Sequence, residues 1–566
     1  MIEKKLLTDT KLIDMRKEIL GDIERCLRKR SEVDYYRILT ATYLLANVGN
    51  GLSYEETLAS YDHDDELHFM IDKDEFKALQ GLCDKYPPEA FAVAAMTSDL
   101  AYERMQYSET PESVTKLALR LLDIQENDKV IDLCCGGASV MQRIVFDYRY
   151  ATLEGYDMDS TIAMIGNLRM HLLDPKAVVK KMNVFTMDDS YFHSYDKVFI
   201  NYPWTIQMQD NDFSNAFRQE MKDIFPTRKS WASDWLFNLL TSLLLKDTGK
   251  AICIARIGST WNHTEEKMRQ YFVEKGLIET VILLPGRMFN DAIIETAMMV
   301  ISHGNQSIRL IDARNICHEG RRKKTFKDED IDNIMSLLTV DSDSSKSFTI
   351  EDIRNNHYYL SLPRYMWNND VFENGVPFGT VITNISRGAS LSATQLDEMV
   401  SPTQTDIQYL MLVNIQNGII DKDLPYLKDL DKRLEKYCIH NNNLIISKNG
   451  NPFRIAVAFV EEGKKILANG NLFIITLDEE KVVPYYLKAF FESEYGIKAI
   501  QQICAGSQLP NIGVESLKQI IIPLPDLDEQ NKIAHDYLKV QDEVEALSNR
   551  LKKTTAQMGK VFPLKG

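Results

Sequence analysis

The stretch KVIDLCCGGAS, residues 129–139, decides the fold of the central part of this chain. The apolar residues Val130 and Ile131 lead into Asp132, and a turn of small residues follows before a helical segment begins. A strand that passes through such a turn into a helix is typical of an open α/β sheet, in which ligands bind beyond the carboxyl ends of the strands. Small residues let the backbone approach a ligand, and the start of a helix offers unpaired N–H groups.

Short apolar segments alternate with amphipathic ones on both sides of this turn, which predicts a parallel sheet covered by helices. The candidate strands are residues 129–134, 151–156, 197–201, 250–255, 278–284 and 296–302. Before residue 95 the apolar residues recur at helical spacing instead. We therefore expect a multidomain α/β protein, with an N-terminal helical domain at 1–95, a Rossmann-like domain at 96–340 and a linker at 341–375.

The C-terminal third is less regular and predicts an α+β domain at residues 376–525, followed by a helix over 526–566. Short β-branched runs such as 444–446 and 473–475 stand among asparagines and glycines. Apolar residues of the final helix recur at spacings of four and three, which is typical of a coiled-coil seam: Ile533, Tyr537, Val540, Val544, Leu547 and Leu551. Two interpretations stay open, a helix packed on its own domain and a spacer or dimer helix.

Composition excludes few classes of protein. A chain of 566 residues with 44% hydrophobic and 26% charged residues is an ordinary globular protein of several domains. No apolar run is long enough to span a membrane, and residues 1–14 are charged, so we expect a cytoplasmic protein without a membrane partner. The eight cysteines lack metal-ligand spacing, so no metal is expected. A net charge of −16 does not exclude DNA, because affinity depends on where the basic residues lie.

Polar residues follow the first three strands in an order that suits a nucleoside. Asp132 ends the first strand, and Asp157 ends the second, where a carboxylate suits two ribose hydroxyls. Asn183 follows the third, at a position suited to reading an adenine amino group. Asp157 has a structural alternative, since it could cap the helix that follows.

The tetrapeptide Asn201-Tyr202-Pro203-Trp204 follows the fourth strand and is the most informative in the sequence. An exocyclic base amine is a poor nucleophile because its lone pair is delocalised into the ring. The Asn201 side-chain carbonyl and the main-chain carbonyl of residue 202 could accept hydrogen bonds from such an amine without a formal base. Pro203 would hold the turn rigid, and Trp204 could stack on a base flipped from a duplex. This pattern predicts methylation of a base amine.

With these residues, the chain resembles the modification subunits of type I restriction–modification systems, which are DNA methyltransferases with an Asn-Pro-Pro-Phe/Tyr motif. Four more stretches stand in that family's order, over roughly the first 340 residues: YSETP (107–111), GYD (155–157), LPGRMF (284–289) and IDAR (311–314). The resemblance implies S-adenosyl-L-methionine (SAM) as cofactor and adenine N6 as target. It also implies the following cofactor-binding residues: Thr110, Pro111, Asp132, Cys134, Cys135, Gly136, Asp157 and Asn183.

The chain departs from the family's pattern at several positions of the site. Tyr202 replaces the first proline of the motif, Cys134-Cys135 occupies the turn, Ala138 replaces a second glycine, and Asn183 replaces an aspartate. Two alternatives therefore stay open, a sequence-specific DNA-binding scaffold with an inactive methyltransferase domain, and a cytosine-N4 methyltransferase.

The segment from Val376 resembles one target-recognition domain of a type I specificity subunit. The similar stretches are FGTV (378–381), ISRG (385–388), YLMLVNIQNG (409–418), LIISKNG (444–450), SQLPNI (507–512) and EQNKIA (529–534). The resemblance implies base reading in double-stranded DNA, and we name Arg387, Lys448 and Arg454 as candidates because Arg and Lys commonly read bases. One such domain and one helix leave two alternatives open: a homodimer joined through the C-terminal helices, which would read a symmetric two-part site, and a monomer that reads a single short asymmetric site. A separate restriction subunit is a further candidate partner.

Overall fold

The computed structural model describes residues 4–28, 35–48, 53–59, 70–97, 109–204, 206–222, 224–225, 231–232, 234–289, 294–320, 323–365, 372, 374–450, 452–503 and 512–558. The chain divides into two compact units, Met1–Leu362 and Pro363–Gly566, which we call the first and second units. No described helix is long and apolar enough to cross a membrane.

The first unit begins with helices, as the sequence predicts. These helices span Thr10–Leu27, Tyr35–Val48, Tyr54–Ala59, Lys73–Gln80 and Pro88–Met96. The helix Tyr35–Val48 is buried on every side from Ile38 to Asn47, because it packs against helices of this layer and against a helix of the following domain, Ser160–Leu173. The N-terminal helices and the sheet domain therefore share one hydrophobic core.

A nine-stranded sheet forms the centre of the first unit, in the order β13-β10-β8-β9-β7-β4-β1-β2-β3. The strands of this unit are β1 Lys129–Asp132, β2 Thr152–Asp157, β3 Ala177–Lys181, β4 Tyr195–Ile200, β5 Gln207–Met208, β6 Trp231–Ala232, β7 Leu245–Arg256, β8 Ile278–Leu284, β9 Thr296–Ile301, β10 Ser307–Asp312, β11 His318–Glu319, β12 Lys324–Thr325 and β13 Ser345–Thr349. The helices around them are Glu112–Leu122, Ser139–Asp147, Ser160–Leu173, Asn215–Met221, Asp234–Leu244, Glu266–Glu274, Asp328–Ser336 and Ile350–Asn355.

The prediction of a parallel sheet needs correction, because the sheet is mixed. β9 lies antiparallel between β7 and β8, and the edge strand β13 is antiparallel to β10. Residues 285–295 join β8 to β9, and this connection is too short for the crossover of about a dozen or more residues that a parallel pair requires.

The predicted linker at 341–375 also needs correction. Its residues Ser345–Thr349 form the edge strand β13, and the helix Ile350–Asn355 follows at once. The first unit therefore continues to Leu362. The charged and serine-rich composition of this stretch concealed the strand, because an edge strand needs few apolar residues.

The second unit contains two larger sheets, with strand orders β15-β25-β22-β23 and β16-β20-β17-β24-β21, and two small pairs, β14-β26 and β18-β19. The strands are β14 Gly375–Pro377, β15 Ile382–Arg387, β16 Val400–Ser401, β17 Ile407–Leu410, β18 Ile415–Gln416, β19 Ile419–Ile420, β20 Tyr426–Leu427, β21 Cys438–Ile439, β22 Leu444–Ser447, β23 Ile455–Val457, β24 Lys465–Ala468, β25 Leu472–Leu477 and β26 Ile521–Pro523. The helices are Ala393–Met399, Pro484–Glu492, Glu494–Ile503, Val514–Lys518 and Leu527–Met558.

The apolar run of β22 reflects burial on both faces of its sheet. Leu444 and Ile446 pack in one core with Phe473, whereas Ile445 packs in another with Ile474. A strand with two buried faces carries a continuous apolar run instead of an alternating one. This explains the two β-branched runs that the sequence shows.

The final helix, Leu527–Met558, has 32 residues and is therefore about 48 Å long. Its first turns are anchored on its own unit: Gln530 is buried, and the buried Lys488 donates hydrogen bonds to Tyr537 and Gln541. Beyond Tyr537 the seam is exposed, with exposed fractions of 60% at Val540, 39% at Val544, 65% at Leu547 and 68% at Leu551. The first turns therefore pack on their own unit, and the spacer or dimer interpretation stays a prediction for the exposed part.

Candidate active site

The register of the sheet places the carboxyl ends of β2 and β4 on either side of the carboxyl end of β1. Asp132, the last residue of β1, pairs with Gly155 on β2 and with Phe199 on β4. Asp157 and Asn201 each lie two residues beyond these partners. The chain leaves β1 toward β2 and β3 and returns to the other side of β1 as β4, which makes this the switch point where open α/β sheets bind ligands. Because β2 and β4 are two strand spacings apart, the two side chains flank a gap of about 10 Å.

The turn after β1 is closely packed from below. Gly136 has φ +54° and Ala138 has φ +62°, both in the left-handed region. A Cβ on Gly155 would collide with Met141 Sδ and lie 2.9 Å from Cys135 Sγ, and one on Gly166 would lie 3.0 Å from the Gly136 carbonyl oxygen. Glycines beneath the turn thus let it settle close to the sheet, which leaves space above it for a ligand.

The thiols of Cys134 and Cys135 have no nucleophilic role in this geometry. Burial raises the pKa of both thiols well above the usual range, and the neighbouring carboxylates act in the same direction. A protonated thiol is a poor nucleophile. The two residues contribute the shape of the turn instead.

Asp132 is the least satisfied polar group of the site. Its side chain is buried, and neither carboxylate oxygen has a well-aligned hydrogen-bond partner among the described residues, although the Cys134 amide is near enough to lower the pKa of the carboxyl. Burial raises the pKa of this carboxyl well above its usual value. A buried carboxylate without a partner is costly, so this position favours a cationic ligand group.

Asp157 is held by the turn and does not cap the following helix. Its Oδ2 accepts a hydrogen bond of 3.0 Å from the Gly136 amide, and its Oδ1 accepts one of 2.9 Å from the Asp159 amide. The cap of the helix Ser160–Leu173 is Asp159, which accepts from Ile162. The structural alternative for Asp157 is therefore wrong, and its carboxylate borders the cavity.

Asn201 lies directly after β4 and is oriented by a threonine. Its Nδ2 donates a hydrogen bond of 2.9 Å to Thr110 Oγ1. Its Oδ1 makes no hydrogen bond among the described residues. The amide thus presents a free acceptor and keeps its donor occupied, which is the arrangement needed to receive an amine hydrogen.

Tyr202 turns its side chain into the core. The ring is buried and stacks on Phe237, with ring centroids 4.7 Å apart and planes 7° apart. Its hydroxyl is buried without a hydrogen-bond partner among the described residues. Only the main chain of residue 202 is therefore available to a ligand, as the sequence analysis expected.

Trp204 is fixed in place by two contacts. Its Nε1 donates a hydrogen bond of 3.3 Å to the Ile254 carbonyl on β7, and its ring meets the Phe289 ring edge to face, with centroids 5.1 Å apart. Pro203, which lies between Tyr202 and Trp204 in the chain, is exposed. The motif thus offers one exposed proline and one rigid, partly exposed aromatic surface.

One cavity of about 560 Å³ joins the turn after β1 to the motif after β4. Sequence-predicted residues that border it are Thr110, Asp132, Cys134, Cys135, Gly136, Asp157, Asn201, Tyr202, Pro203 and Trp204. Pro111 borders an adjoining cavity of about 380 Å³ that shares Thr110. Tyr107 and Ser108 lie outside the described residues.

Asn183 is not part of this set, which corrects its predicted role. Its Oδ1 accepts a hydrogen bond of 3.1 Å from the Phe185 amide, and its Nδ2 donates one of 3.2 Å to the Asp212 carbonyl. The amide caps a short 3-10 helix, Val184–Thr186, so both of its polar atoms are occupied. This is the role that asparagine commonly takes at the start of a helix.

Seven residues that sequence reasoning did not assign also border the cavity: Tyr36, Ser139, Val140, Asp159, Ile162, Phe199 and Phe289. Phe289 belongs to a stretch that the family resemblance marked, so a signal for it was present. Tyr36 comes from the N-terminal helices, where a helical pattern of apolar residues gives no sign of a ligand.

The three candidate DNA-binding residues of the second unit differ in their contacts. Arg387 donates a hydrogen bond of 3.1 Å to the Gly470 carbonyl, and Arg454 donates to the carbonyls of Leu412 (2.7 Å) and Ile415 (2.9 Å). Both arginines therefore hold loops. The side chain of Lys448 makes no polar contact among the described residues.

Two family models match the chain. Residues 99–374 match "N-6 DNA Methylase", and residues 405–555 match "Type I restriction modification DNA specificity domain". The two matched segments follow one another along the chain. The first includes the residues that border the cavity apart from Tyr36, and the second includes the final helix as far as residue 555.

Relatives of the methylase domain are methylase subunits of type I restriction enzymes. The MjaVIII subunit of Methanocaldococcus jannaschii is 26% identical over 292 residues, which are 45% of this chain and 49% of that subunit. The HindI subunit of Haemophilus influenzae is 26% identical over 167 residues, 27% of this chain and 37% of that subunit. The chain spans about half the length of the curated relatives that it matches first.

The fold is similar to that of solved restriction–modification proteins. A nuclease-deletion mutant of the type ISP enzyme LlaGI, solved with a DNA substrate mimic, matches 95% of this chain and 67% of its own, with a TM-score of 0.55 and 10% identity. The type I methyltransferase subunit of Streptococcus thermophilus matches 62% of this chain and 98% of its own, with a TM-score of 0.45 and 16% identity.

Proposed function

We propose that this chain transfers a methyl group from SAM to adenine N6 in double-stranded DNA, at a sequence that its own specificity domain reads. The observation that carries this proposal is the single cavity that joins the turn after β1 to Asn201 and Trp204. A ligand bound over the turn and a base at the motif would meet in one enclosed space. The family models for both domains support the same function.

The residues of the turn suit SAM. The unpaired Asp132 carboxylate would pair with the ammonium group of the methionine half, and the Asp157 carboxylate would bind the ribose hydroxyls. Gly155 and Gly166 leave no room for a side chain beneath the turn, so the turn is held low enough for the backbone to approach a nucleoside. SAM supplies an electrophilic methyl group on a sulfonium.

The motif after β4 suits an exocyclic amine as acceptor of that methyl group. The free Oδ1 of Asn201 and the carbonyl of Tyr202 would accept the two amine hydrogens and draw the nitrogen lone pair out of conjugation with the ring. Trp204, fixed by Ile254 and Phe289, would stack on the extruded base and hold the amine in line. As the bond from N6 to the methyl group forms, the bond from sulfur to that methyl group would break and leave S-adenosylhomocysteine, and the proton lost by N6 would pass to solvent. Catalysis would come from positioning and preorganised dipoles, with no side chain acting as a formal base.

The specificity domain would select the DNA sequence that is methylated. We propose that the exposed part of the final helix pairs with the same helix of a second copy, which gives two recognition domains and a two-part, symmetric site. Lys448 is the candidate DNA contact that keeps a free cation, and Arg387 and Arg454 would act by holding the loops around it. A separate restriction subunit would complete a restriction–modification system.

Transfer of tritium from methyl-labelled SAM to duplex DNA tests this proposal. The wild-type chain should label DNA, and Asn201→Ala should lose labelling by about 100-fold or more while it still binds DNA. Asn333→Ala, an exposed asparagine on the helix Asp328–Ser336, is the matched control and should label normally. Equal labelling by wild type and Asn201→Ala would contradict the assigned chemistry, and DNA binding without any labelling by the wild type would favour the inactive scaffold.

A further inference from the structure

The amide of Asn201 has an orientation problem that chemistry alone does not solve. Its carbonyl and amino ends are nearly equal in size, and the torsion that exchanges them has two broad minima. The wrong orientation would present N–H donors to an amine that is itself a donor. In the structure, the hydrogen bond from Nδ2 to Thr110 Oγ1 holds the amide at a fixed position with its donor end occupied.

Thr110 can hold the amide in this way only if its own position is fixed. The adjacent residue Glu109 is held by Arg169, whose Nη1 lies 3.5 Å from Glu109 Oε1. This ion pair is the one polar side-chain contact of Glu109 among the described residues. Arg169 is only 2% exposed, so solvent screens the pair weakly.

Arg169 is in turn fixed by the N-terminal helices. Its Nε donates a hydrogen bond of 2.9 Å to the hydroxyl of Tyr43, which is fully buried on the helix Tyr35–Val48. The Tyr43 hydroxyl donates to the Ala95 carbonyl, 3.3 Å away, on the helix Pro88–Met96. A series of polar contacts thus runs from the helical layer through Arg169 to Glu109, which immediately precedes Thr110 in the chain.

We propose that Arg169, held between Tyr43 and Glu109, is a positioning residue for the Asn201 amide. The proposal rests on the proposed function of Asn201. The N-terminal helices then have a catalytic purpose besides stability, because they fix the angle at which the acceptor oxygen meets the target amine.

The mildest test is Tyr43→Phe, which removes one hydroxyl and keeps the buried ring. The single-turnover rate of methyl transfer at saturating SAM and DNA should fall about 3- to 10-fold, the size of a lost coupling between neighbouring polar groups. The dissociation constants for SAM and DNA should not change. Tyr54→Phe is the matched control, because Tyr54 is also a buried tyrosine of these helices and its hydroxyl donates to the Ile71 carbonyl. Its rate should equal that of the wild type.

A double-mutant cycle separates positioning from stability. Thr110→Val should lower the single-turnover rate, and Thr110→Ser should restore most of it, because serine keeps the hydroxyl. In the Thr110→Val background, Tyr43→Phe should have no further effect on the rate, since both changes break the same series of contacts. A purely structural role for Tyr43 would change the amount of folded enzyme and leave the single-turnover rate constant unaltered.

Two results would overturn the inference. One is a Tyr43→Phe rate equal to that of wild type, and the other is rate losses from Tyr43→Phe and Thr110→Val that multiply independently. In both cases the wild type still methylates DNA, so the proposed function stands. Absence of methyl transfer by the wild type would overturn the proposed function and this inference together.

Discussion

Tyr202 stacks on Phe237 with ring centroids 4.7 Å apart and planes only 7° apart, so the second residue of the motif at 201–204 is anchored in the core by its side chain. The type I family pattern has proline at this position, which rigidifies a turn by its ring closure. Here a large buried ring would provide the rigidity instead. The main-chain carbonyl of residue 202 remains available to a ligand.

This packing predicts the effects of two substitutions on stability. Tyr202→Phe should raise the free energy of unfolding by about 1 kcal/mol, because it removes a buried hydroxyl without a partner. Tyr202→Pro restores the residue of the family pattern and should lower that free energy by about 3 kcal/mol or more, because it empties the space beside Phe237. Urea denaturation followed by tryptophan fluorescence measures both. A proline variant as stable as the wild type would show that the stacking does not anchor the motif.

Asp132 predicts a pH dependence of SAM binding. Burial raises the pKa of its carboxyl, and only the ionised form would pair with the ammonium group of SAM. Affinity should therefore weaken as the pH falls through the raised pKa of the Asp132 carboxyl, and Asp132→Asn should bind weakly and lose most of this dependence. Titration calorimetry measures the affinity. Asp188→Asn, which changes an exposed aspartate, should keep the wild-type profile.

Asp132 also predicts a cost in stability, because the carboxyl that would bind SAM lowers the free energy of unfolding of the cofactor-free protein. A group whose pKa is raised in the folded state stabilises the fold at low pH and loses that contribution as the pH rises through its folded pKa. Asp132→Asn removes this loss, so the cofactor-free variant should unfold with a free energy about 1 kcal/mol or more above that of the wild type near pH 8. Equal stability of the two proteins at that pH would show that Asp132 finds a partner within the protein.

Trp204 predicts a selective defect in DNA use. Its ring is fixed by the Ile254 carbonyl and Phe289, and stacking of a base on an aromatic ring contributes about 1–3 kcal/mol. Trp204→Ala should lower kcat/KM for DNA about tenfold or more and leave the SAM dissociation constant within about twofold. Trp204→Phe should lie between the two. Steady-state kinetics with SAM and DNA varied separately provides the comparison, and an equal loss in both affinities would instead indicate collapse of the cavity.

The exposed seam of the final helix predicts the oligomeric state. Leu547→Glu combined with Leu551→Glu should convert a dimer into a monomer, because charges at adjacent seam positions oppose helix pairing. Asn549→Glu lies off the seam and should leave the dimer intact. Light scattering after size-exclusion chromatography gives the mass. A wild-type monomer at micromolar concentration would exclude the paired helices.

The parts of the fold that depend on local pattern were predictable from the sequence. β8 has the predicted bounds, 278–284, because its apolar run, residues 281–284, ends at Pro285 and Gly286, which favour a turn. The mixed direction of the sheet was not predictable, because an antiparallel strand between two others has the same apolar pattern as a parallel one. β13 was missed because an edge strand carries few apolar residues.

Some residues of the candidate site were likewise predictable from the sequence, and others were not. Asp132, Asp157 and Asn201 were predictable because they follow strands, and the register of the strands brings their ends together. Asn183 also follows a strand, but its amide is occupied by Phe185 and Asp212, and the contact with Asp212 joins residues far apart in the sequence. Tyr36 and the contacts of Arg169 depend on how helices pack on one another, which no local pattern specifies.

Single-molecule sequencing of DNA from cells that express the chain tests the central claim most directly, because it reports the modified base and its sequence context together. The account predicts N6-methyladenine at one defined sequence in cells with the wild-type chain and none in cells with Asn201→Ala. Methylation that persists in Asn201→Ala cells, or a modified cytosine in place of adenine, would contradict it.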